Sequence, residues 1–353
     1  MPIFLNILFL IIGMALLIKG ADLFVSGASE VARRLKVPAM FVGLTIVSIG
    51  TSLPELSVSI TSAISGSIDM AVGNIVGSNL FNMLLILGLV ALFNPVKMES
   101  STKKIDLPFL VAVTGILMLF GFDMFLNGDP QNMLSRTESI IFIVLLILYL
   151  YILIFNANRK RKRQIKQEKY IAEMQKHEVD DFVVFGKDIT NEQPAQETEK
   201  PLKVWQIILY LVFGLGAVVF GGECVSSTAQ YLALAMGMSE ALVGLTIVAL
   251  GTSLPELVTS VMAAKKGENE LALGNVIGSN IMNISLILGS VGVIAQAPIS
   301  MAIVTDMVIL FIATIMFTFM CVKFKELGKI QGAILVGMYL SYLAFAIVRN
   351  YCF

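Results

Sequence analysis

The chain has 353 residues, of which 57% are hydrophobic and 14% charged, and its mean hydropathy is +0.85. Soluble domains are about 45–50% apolar and about 25% charged, so this composition excludes a soluble enzyme as well as an intrinsically disordered protein. The 25 basic and 25 acidic residues cancel, and a chain without a basic excess gives no sign of binding nucleic acid.

Ten apolar stretches, each long enough to cross a hydrocarbon core of about 30 Å as a helix, follow one another along the chain. They cover residues 3–24, 38–64, 69–93, 105–122, 138–155, 204–225, 238–264, 271–295, 301–322 and 330–348. The first stretch lacks a small-residue cleavage site, so we expect a retained helix rather than a signal peptide. The sequence therefore predicts an all-α, polytopic membrane protein with ten transmembrane helices surrounded by lipid.

Lysine and arginine gather in alternate connections between these stretches, which predicts the orientation of the chain. The basic connections lie at residues 33–36, 97–104, 159–163, 265–266 and 323–329. The intervening connections, near residues 65–68, 127–132, 237–239 and 296–300, contain no Lys or Arg. Because basic loops stay on the cytoplasmic side, we expect an integral protein of the plasma membrane with both termini outside.

One polar segment divides the chain into two sets of five predicted helices. Residues 158–203 are rich in Lys, Glu, Gln and Asp, and we interpret them as a solvated cytoplasmic linker whose basic start suits anionic lipid head groups. The linker is too short for a large folded regulatory module. The predicted organisation is a five-helix repeat over residues 1–157, this linker, and a second five-helix repeat over residues 204–353.

The two halves carry the same motif in the same register. VGLTIVSIGTSLPEL begins at Val42 and is followed by GNIVGSNLFN at residues 73–82, whereas VGLTIVALGTSLPEL begins at Val243 and is followed by GNVIGSNIMN at residues 274–283. Because five spans reverse the direction of entry, the second copy must be inserted upside down. Inverted repeats with interrupted helices near the bilayer midplane are typical of secondary transporters.

Each copy of the motif places one glutamate, Glu55 or Glu256, near the middle of a predicted span. A charged residue there costs about 2.5–3.5 kcal/mol on insertion scales, which a structural role does not require. The preceding residue is Pro54 in the first copy, and proline removes an amide donor and displaces the carbonyl four residues earlier, that of Gly50. We therefore predict a broken helix whose free carbonyls line a polar site.

The oxygen atoms around these breaks define a candidate cation site. Serine and asparagine residues four apart on the following helix share one face and add to it. The candidate side chains are Glu55, Thr51, Ser52, Ser78 and Asn82, with their equivalents Glu256, Thr252, Ser253, Ser279 and Asn283. Such hard oxygen ligands suit Ca²⁺, Mg²⁺, Mn²⁺ or Na⁺ rather than Zn²⁺ or Cu⁺. A site that serves a divalent and a monovalent cation in turn would be an exchanger.

Small residues also repeat on the helix that follows each break. Gly73 and Gly77 are four apart, as are Gly274 and Gly278. Pairs of this kind allow membrane helices to approach closely. We therefore predict tight packing of each of these helices against a neighbour.

GTSLPEL followed by GNxxGSN, present twice, resembles the alpha repeats of the sodium/calcium exchanger family, within the calcium/cation antiporter superfamily. The resemblance is closest to compact prokaryotic members with ten helices and covers nearly the whole chain apart from the linker. It implies that Glu55 and Glu256 are central ligands shared by Ca²⁺ and Na⁺, and that Thr51 and Thr252 give backbone carbonyls to Ca²⁺. It also implies Na⁺ sites built from Ser52, Ser78, Ser253, Ser279 and the carbonyls of Ser48 and Ala249, with Asn82 and Asn283 at the centre.

The expected function is exchange of Na⁺ for Ca²⁺ by alternating access, with the two cations as substrates, no cofactor and a monomer as the expected state. A H⁺/Ca²⁺ or a K⁺-dependent Na⁺/Ca²⁺ exchanger is the alternative. Proton-coupled relatives usually carry an acidic residue soon after the GN pair, and some compact relatives carry Asp at the position of Asn283, whereas this chain has neither. An enzyme with two carboxylates as acid and base would need two different environments, which the near-identical surroundings of the glutamates argue against.

Overall fold

The structure, a computed structural model, describes residues 3–122, 132–183, 202–235, 249–296 and 298–352. The predicted loop at residues 237–239 and nearly all of the predicted loop at residues 127–132 lie outside these ranges. The same is true of the first part of the predicted span 238–264 and of the end of the predicted linker.

The first half consists of long helices and of helices interrupted by π-helical turns. The helices are α1 (Ile3–Leu35), α2 (Ala39–Val42), α3 (Ser48–Thr51), α4 (Leu53–Ile64), α5 (Ile68–Leu80), α6 (Leu87–Phe93), α7 (Leu107–Phe120) and α8 (Arg136–Val183). The π-helical turns are Gly43–Val47, between α2 and α3, Phe81–Ile86, between α5 and α6, and Thr102–Asp106, before α7.

The second half repeats this order. Its helices are α9 (Val204–Ala235), α10 (Ala249–Thr252), α11 (Leu254–Lys265), α12 (Asn269–Met282), α13 (Gly289–Ile294), α14 (Met301–Lys323) and α15 (Lys329–Cys352). A π-helical turn, Asn283–Leu288, joins α12 to α13 as its equivalent joins α5 to α6. The matching order of elements reflects the duplicated sequence.

In the described part of the chain, seven helices are long and apolar enough to cross a membrane. The number is eight if the bent pair formed by α2–α3 and α4 is counted as one span. The prediction of a helical, polytopic membrane protein is confirmed. The count of ten stays a prediction. The predicted span 105–122 is divided between a π-helical turn and the 14-residue helix α7, and the predicted span 238–264 begins outside the described residues.

Helix α1 extends well past the apolar stretch from which it was predicted. The stretch ends near residue 24, but the helix continues to Leu35 because Val25, Ala28 and Ala32 remain buried along one face. An amphipathic segment needs only one apolar face to remain helical. The apolar composition of a stretch therefore indicates which part of a helix contacts lipid, but it does not show where that helix ends.

Helix α8, Arg136–Val183, runs without interruption into the predicted linker, residues 158–203. Lys160 ties this part of the helix to the connection before α7, because its ammonium group donates to Glu99 and to Ser101. Partial burial raises the pKa of the Glu99 carboxyl, but hydrogen bonds from Lys160 and Ser101 outweigh it and hold the pKa below its usual value. The first part of the linker is thus a helical extension of the fifth predicted span.

Helices α1 and α9 pack against each other through glycine. A Cβ atom built on Gly20 would lie 2.8 Å from the Cβ of Ala217, and one built on Gly214 would lie 2.6 Å from the backbone nitrogen of Phe24. The helices therefore touch backbone to backbone, as membrane helices do where small residues line the contact. Any larger side chain here would push α1 and α9 apart.

Two short backbone pairings join connections from the two halves. Strand β1 (Val96–Lys97) pairs antiparallel with β2 (Glu326–Leu327), and an isolated antiparallel bridge joins Met133 to Pro298. The first pairing links two connections that are basic in sequence, and the second links two that contain no Lys or Arg. The two pairings therefore belong to opposite faces of the membrane under the predicted orientation.

The predicted close approach of the small-residue pair in α12 is confirmed. A Cβ atom on Gly274 would lie 2.6 Å from the carbonyl oxygen of Met40, and one on Gly278 would lie 2.8 Å from the Cβ of Ser48. Helix α12 of the second repeat thus packs directly on α2 and α3 of the first. The same packing predicted for the first-repeat pair is not seen among the described residues, where a Cβ on Gly73 would meet only Cδ1 of Ile303 at 4.0 Å and one on Gly77 would meet no atom within 4 Å.

Candidate cation-binding site

The helix break predicted before Glu55 is present. Helix α3 ends at Thr51 and α4 begins at Leu53, and the two segments are bent by 46° at Ser52, whose backbone angles are φ −85° and ψ 8°. The second repeat has the same break at Ser253, with φ −90° and ψ 7°. The proline of each repeat lies in the first turn of the helix after the break, where its missing N–H removes no helical hydrogen bond.

Glu55 and Glu256 lie in the first turns of α4 and α11, and both are fully buried, with 0% of each residue exposed. The N-terminus of a helix favours a nearby negative charge because its first amide groups point toward it. That stabilisation is small compared with the penalty for burying an ionised carboxylate. Each glutamate therefore needs further compensation from its surroundings.

Each glutamate accepts a hydrogen bond from the serine of the opposite repeat. The hydroxyl of Ser52 donates to Oε1 of Glu256 at 2.9 Å, and the hydroxyl of Ser253 donates to Oε1 of Glu55 at the same distance. These reciprocal bonds hold both carboxylates at one interface between the repeats. The second oxygen, Oε2, of each glutamate is buried without a hydrogen-bond partner.

The serines of the following helices lie at the same cluster. The Ser78 hydroxyl is 3.0 Å from that of Ser253, and the Ser279 hydroxyl lies 3.4 Å from Oε1 of Glu256. Both residues are fully buried. The structure thus brings the four predicted serines together around the two carboxylates.

Asn82 and Asn283 lie at the start of the π-helical turns Phe81–Ile86 and Asn283–Leu288. Neither the nitrogen nor the oxygen of the buried Asn82 amide has a partner. Asn283 donates to the side-chain oxygen of Asn79 at 3.1 Å, and its own oxygen is unpaired. A π-helical turn is frequent at functional sites, but the sequence pattern gave no indication of either turn.

The predicted carbonyl ligands lie on the segments that lead into the breaks. The carbonyl of Ser48 accepts the backbone N–H of Ser52 at 3.1 Å and lies 3.5 Å from the Thr51 hydroxyl. The Ser48 hydroxyl donates to the carbonyl of Thr45 at 3.3 Å. Ala249 is the first residue of α10. The roles of the Ser48 and Ala249 carbonyls as ligands stay predictions.

The threonines of the motif contact asparagines that the sequence analysis did not single out. The Thr51 hydroxyl lies 3.1 Å from the side-chain oxygen of Asn275, and the Thr252 hydroxyl lies 3.3 Å from that of Asn74. Both bonds cross between the repeats. Both asparagines belong to the duplicated GN pair, so their repetition at the same place in both halves could have identified them as candidate site residues.

The same two asparagines also bind the helix that follows the break in their own repeat. Asn275 donates to the hydroxyl of Ser260 at 2.9 Å, and Asn74 donates to that of Ser59 at 3.3 Å. Each asparagine therefore braces a glutamate-bearing helix of its own repeat against the threonine of the other. The Thr51 hydroxyl also lies 3.1 Å from the carbonyl of Val47, so its one proton has two acceptors at this distance.

The cluster is a buried pocket of hard oxygen atoms with an uncompensated negative charge. Among the buried polar residues that the structure describes there is no Lys, Arg or His. The free oxygens of the two carboxylates and of the central asparagines can ligate a cation, and hard cations prefer such oxygens. The fold and this cluster define a helical membrane protein in which two similar halves bring a set of hard oxygen atoms together.

Comparison with known proteins agrees with this description. The family model described as sodium/calcium exchanger protein matches residues 5–155 and 206–348. The chain belongs to the sodium/calcium exchanger family, which confirms the resemblance seen in its motifs. The match leaves out the whole of the predicted linker, residues 158–203.

Similar proteins align with this chain over nearly its full length. The sodium/calcium exchanger MaX1 of Methanosarcina acetivorans is 35% identical over 342 residues, which cover 96% of this chain and 97% of the relative. The inner membrane protein YrbG of Escherichia coli K12 is 33% identical over 339 residues, 95% of this chain and 94% of the relative.

A solved structure shares the fold. The sodium–calcium exchanger NCX_Mj, soaked with 10 mM Na⁺ and zero Ca²⁺, superposes with a TM-score of 0.76 at 27% identity. The superposition covers 97% of this chain and 99% of that chain. The overall arrangement of helices in this chain is therefore that of a known exchanger fold.

Proposed function

We propose that this protein is a secondary active antiporter that exchanges Na⁺ for Ca²⁺ across the plasma membrane. The observation that carries the proposal is the reciprocal pair of bonds from Ser52 to Glu256 and from Ser253 to Glu55. These bonds leave one free carboxylate oxygen on each glutamate in a buried pocket. The family of the chain and the names of MaX1 and NCX_Mj support the same substrates.

The chemistry of the pocket suits both cations in turn. Ca²⁺ takes 6–8 oxygen ligands, and two carboxylates balance its charge. Na⁺ is bound by the same hard oxygens and accepts neutral hydroxyl and amide ligands such as those of Ser78 and Asn82. Because the cations need overlapping oxygens, one must leave before the other binds, and this competition couples their movements.

Alternating access follows from the inverted relation of the halves. A pocket at the interface of two repeats opens to one side of the membrane when they pack in one way and to the other side when they exchange roles. An empty pocket leaves two carboxylates uncompensated, so switching is favoured only when a cation is bound. One chain supplies both repeats, so a monomer without a cofactor suffices. The proposal places both termini outside and residues 158–203 in the cytoplasm.

The test is ⁴⁵Ca²⁺ uptake into proteoliposomes driven by an outward Na⁺ gradient. We expect Glu55→Gln and Glu256→Gln each to lower uptake by about 100-fold or more, because each removes a buried charge that pairs with the cation. Glu326→Gln, which removes an exposed carboxylate in β2, is the matched control and should leave uptake unchanged.

Three outcomes would contradict the proposal. Uptake driven by a pH gradient alone would identify H⁺ as the coupling ion, and a requirement for K⁺ would identify a K⁺-dependent exchanger. Full uptake in either glutamine variant would show that the pocket is not the transport site.

A further inference from the structure

The two central asparagines, equivalent in sequence, are held differently. Asn283 donates a hydrogen bond to the side-chain oxygen of Asn79 at 3.1 Å. The equivalent bond would join Asn82 to Asn280, but the side-chain oxygen of Asn280 and both amide atoms of Asn82 lack partners. The pocket is therefore asymmetric at its central asparagines.

The direction of the Asn283 amide is fixed by a chain of hydrogen bonds. The side-chain nitrogen of Asn79 donates to the backbone carbonyl of Asn280 at 3.3 Å. A carbonyl can only accept, so Asn79 must turn its nitrogen to it and its oxygen to Asn283. Asn283 must then present its nitrogen to Asn79, which leaves its oxygen free.

Asn283 directly follows α12 and continues the face of that helix that meets the carboxylates. Ser279, four residues earlier and so on the same face, lies 3.4 Å from Oε1 of Glu256. Asn283 is fully buried, and its oxygen has no partner. The orientation set by Asn79 thus gives the pocket a neutral oxygen rather than an amide nitrogen, which would repel a cation.

We propose that Asn79 is a positioning residue that locks the Asn283 amide with its oxygen toward the bound cation, while the Asn82 amide is left free to turn. The inference rests on the proposed function only in taking the ligand to be Na⁺ or Ca²⁺. A ligand oriented in advance binds without an ordering penalty, and an adaptable one adjusts to a cation of different charge. The pocket therefore has one fixed and one adjustable neutral ligand.

The test compares Asn79→Leu with Asn280→Leu, its repeat equivalent, in the purified full-length protein. Equilibrium binding of ⁴⁵Ca²⁺ and of ²²Na⁺ gives Kd for each variant. We expect Asn79→Leu to raise Kd about fivefold, the effect of one ordinary hydrogen bond, with exchange at saturating cation within about twofold of the unmodified chain. Asn280→Leu should change Kd by less than about 1.5-fold, because its side chain makes no equivalent bond.

A double-mutant cycle separates positioning from packing. In an Asn283→Ala background, Asn79→Leu should have no further effect on Kd, because Asn79 acts only through Asn283. Asn79→Ala is the second variant if the leucine lowers the melting temperature in detergent. Equal changes in Kd for Asn79→Leu and Asn280→Leu, or an effect that persists without Asn283, would overturn the inference.

The same measurements separate this inference from the proposed function. A chain that binds the cations in the expected order but does not exchange them would overturn the proposed antiport and leave the role of Asn79 supported. A chain that binds neither cation would overturn both.

Discussion

Ser52 and Ser253 each precede a glutamate by three residues in the chain, yet each donates to the glutamate of the opposite repeat. A movement of one broken helix therefore alters the hydrogen bonding of the carboxylate on the other. Hydrogen bonds to charged groups are stronger than those between neutral groups. Under the proposed function, the two serines connect cation binding by one glutamate to the position of the opposite repeat.

We predict that Ser52→Ala and Ser253→Ala each raise the KM for Ca²⁺ by about tenfold or more, because a hydrogen bond to a charged group contributes about 1.5–3 kcal/mol. Sodium-driven ⁴⁵Ca²⁺ uptake over a range of Ca²⁺ concentrations measures the change. Ser57→Ala, an exposed serine on α4, is the control. A KM unchanged in both variants would mean that these bonds do not contribute to cation binding.

For single residues, the sequence predicts which side chains belong to the site better than it predicts what they contact. The carboxylates, serines and central asparagines followed from charge, burial and spacing in the duplicated motif. Asn74 and Asn275 could have been singled out by their recurrence in the duplicated GN pair, but which side chains they contact across the interface is not contained in the sequence pattern. The unequal bonding of Asn82 and Asn283 was inaccessible for the same reason.

At the scale of the helix, the contact of α12 with α2 and α3 depends on the absence of side chains. The ideal Cβ of Gly274 lies within 3.0 Å of atoms of Met40 and Gly43, and all of these are backbone atoms. Backbone atoms cannot rotate away as a side chain can. The separation of the two repeats is therefore set here by glycine.

Gly274→Val should lower both the melting temperature and the exchange rate, because the new side chain must separate α12 from α2 and so disturb the pocket one turn further along. Gly337→Ala is the matched control, since a Cβ on that α15 glycine meets no atom within 4 Å. Melting in detergent and ⁴⁵Ca²⁺ uptake, measured on the same preparations, report the two effects. Wild-type values of both in Gly274→Val would contradict the contact.

Helix boundaries were the least predictable feature of the elements. The apolar composition that marks a span ends before α1 does, and it ends well before α8. The breaks at Ser52 and Ser253 were predictable, because proline and glycine act through local sterics. The π-helical turns were not, since they depend on packing between helices.

At the scale of the whole molecule, the orientation in the membrane follows from loop charge alone. We predict that Ser65→Cys reacts with an impermeant maleimide from outside the cell and Lys329→Cys only from the cytoplasmic side, because the first connection lacks basic residues and the second contains them. Both positions are exposed. The background replaces Cys224, Cys321 and Cys352 with serine.

Maleimide labelling of intact cells and of inverted membrane vesicles shows from which side of the membrane each cysteine reacts. The opposite labelling pattern would reverse the orientation without affecting the pocket. Labelling of both sites from the same side would contradict the inverted relation of the repeats.

The crossed serine–glutamate bonds also bear on the evolutionary origin of this chain. Each half carries a carboxylate whose hydroxyl donor comes from the other half. Under the predicted inverted orientation, a separate half would receive that donor from a copy of itself inserted in the reverse sense. The gene for this chain is thus the expected product of a fusion that made a dual-topology homodimer permanent, with residues 158–203 as the join.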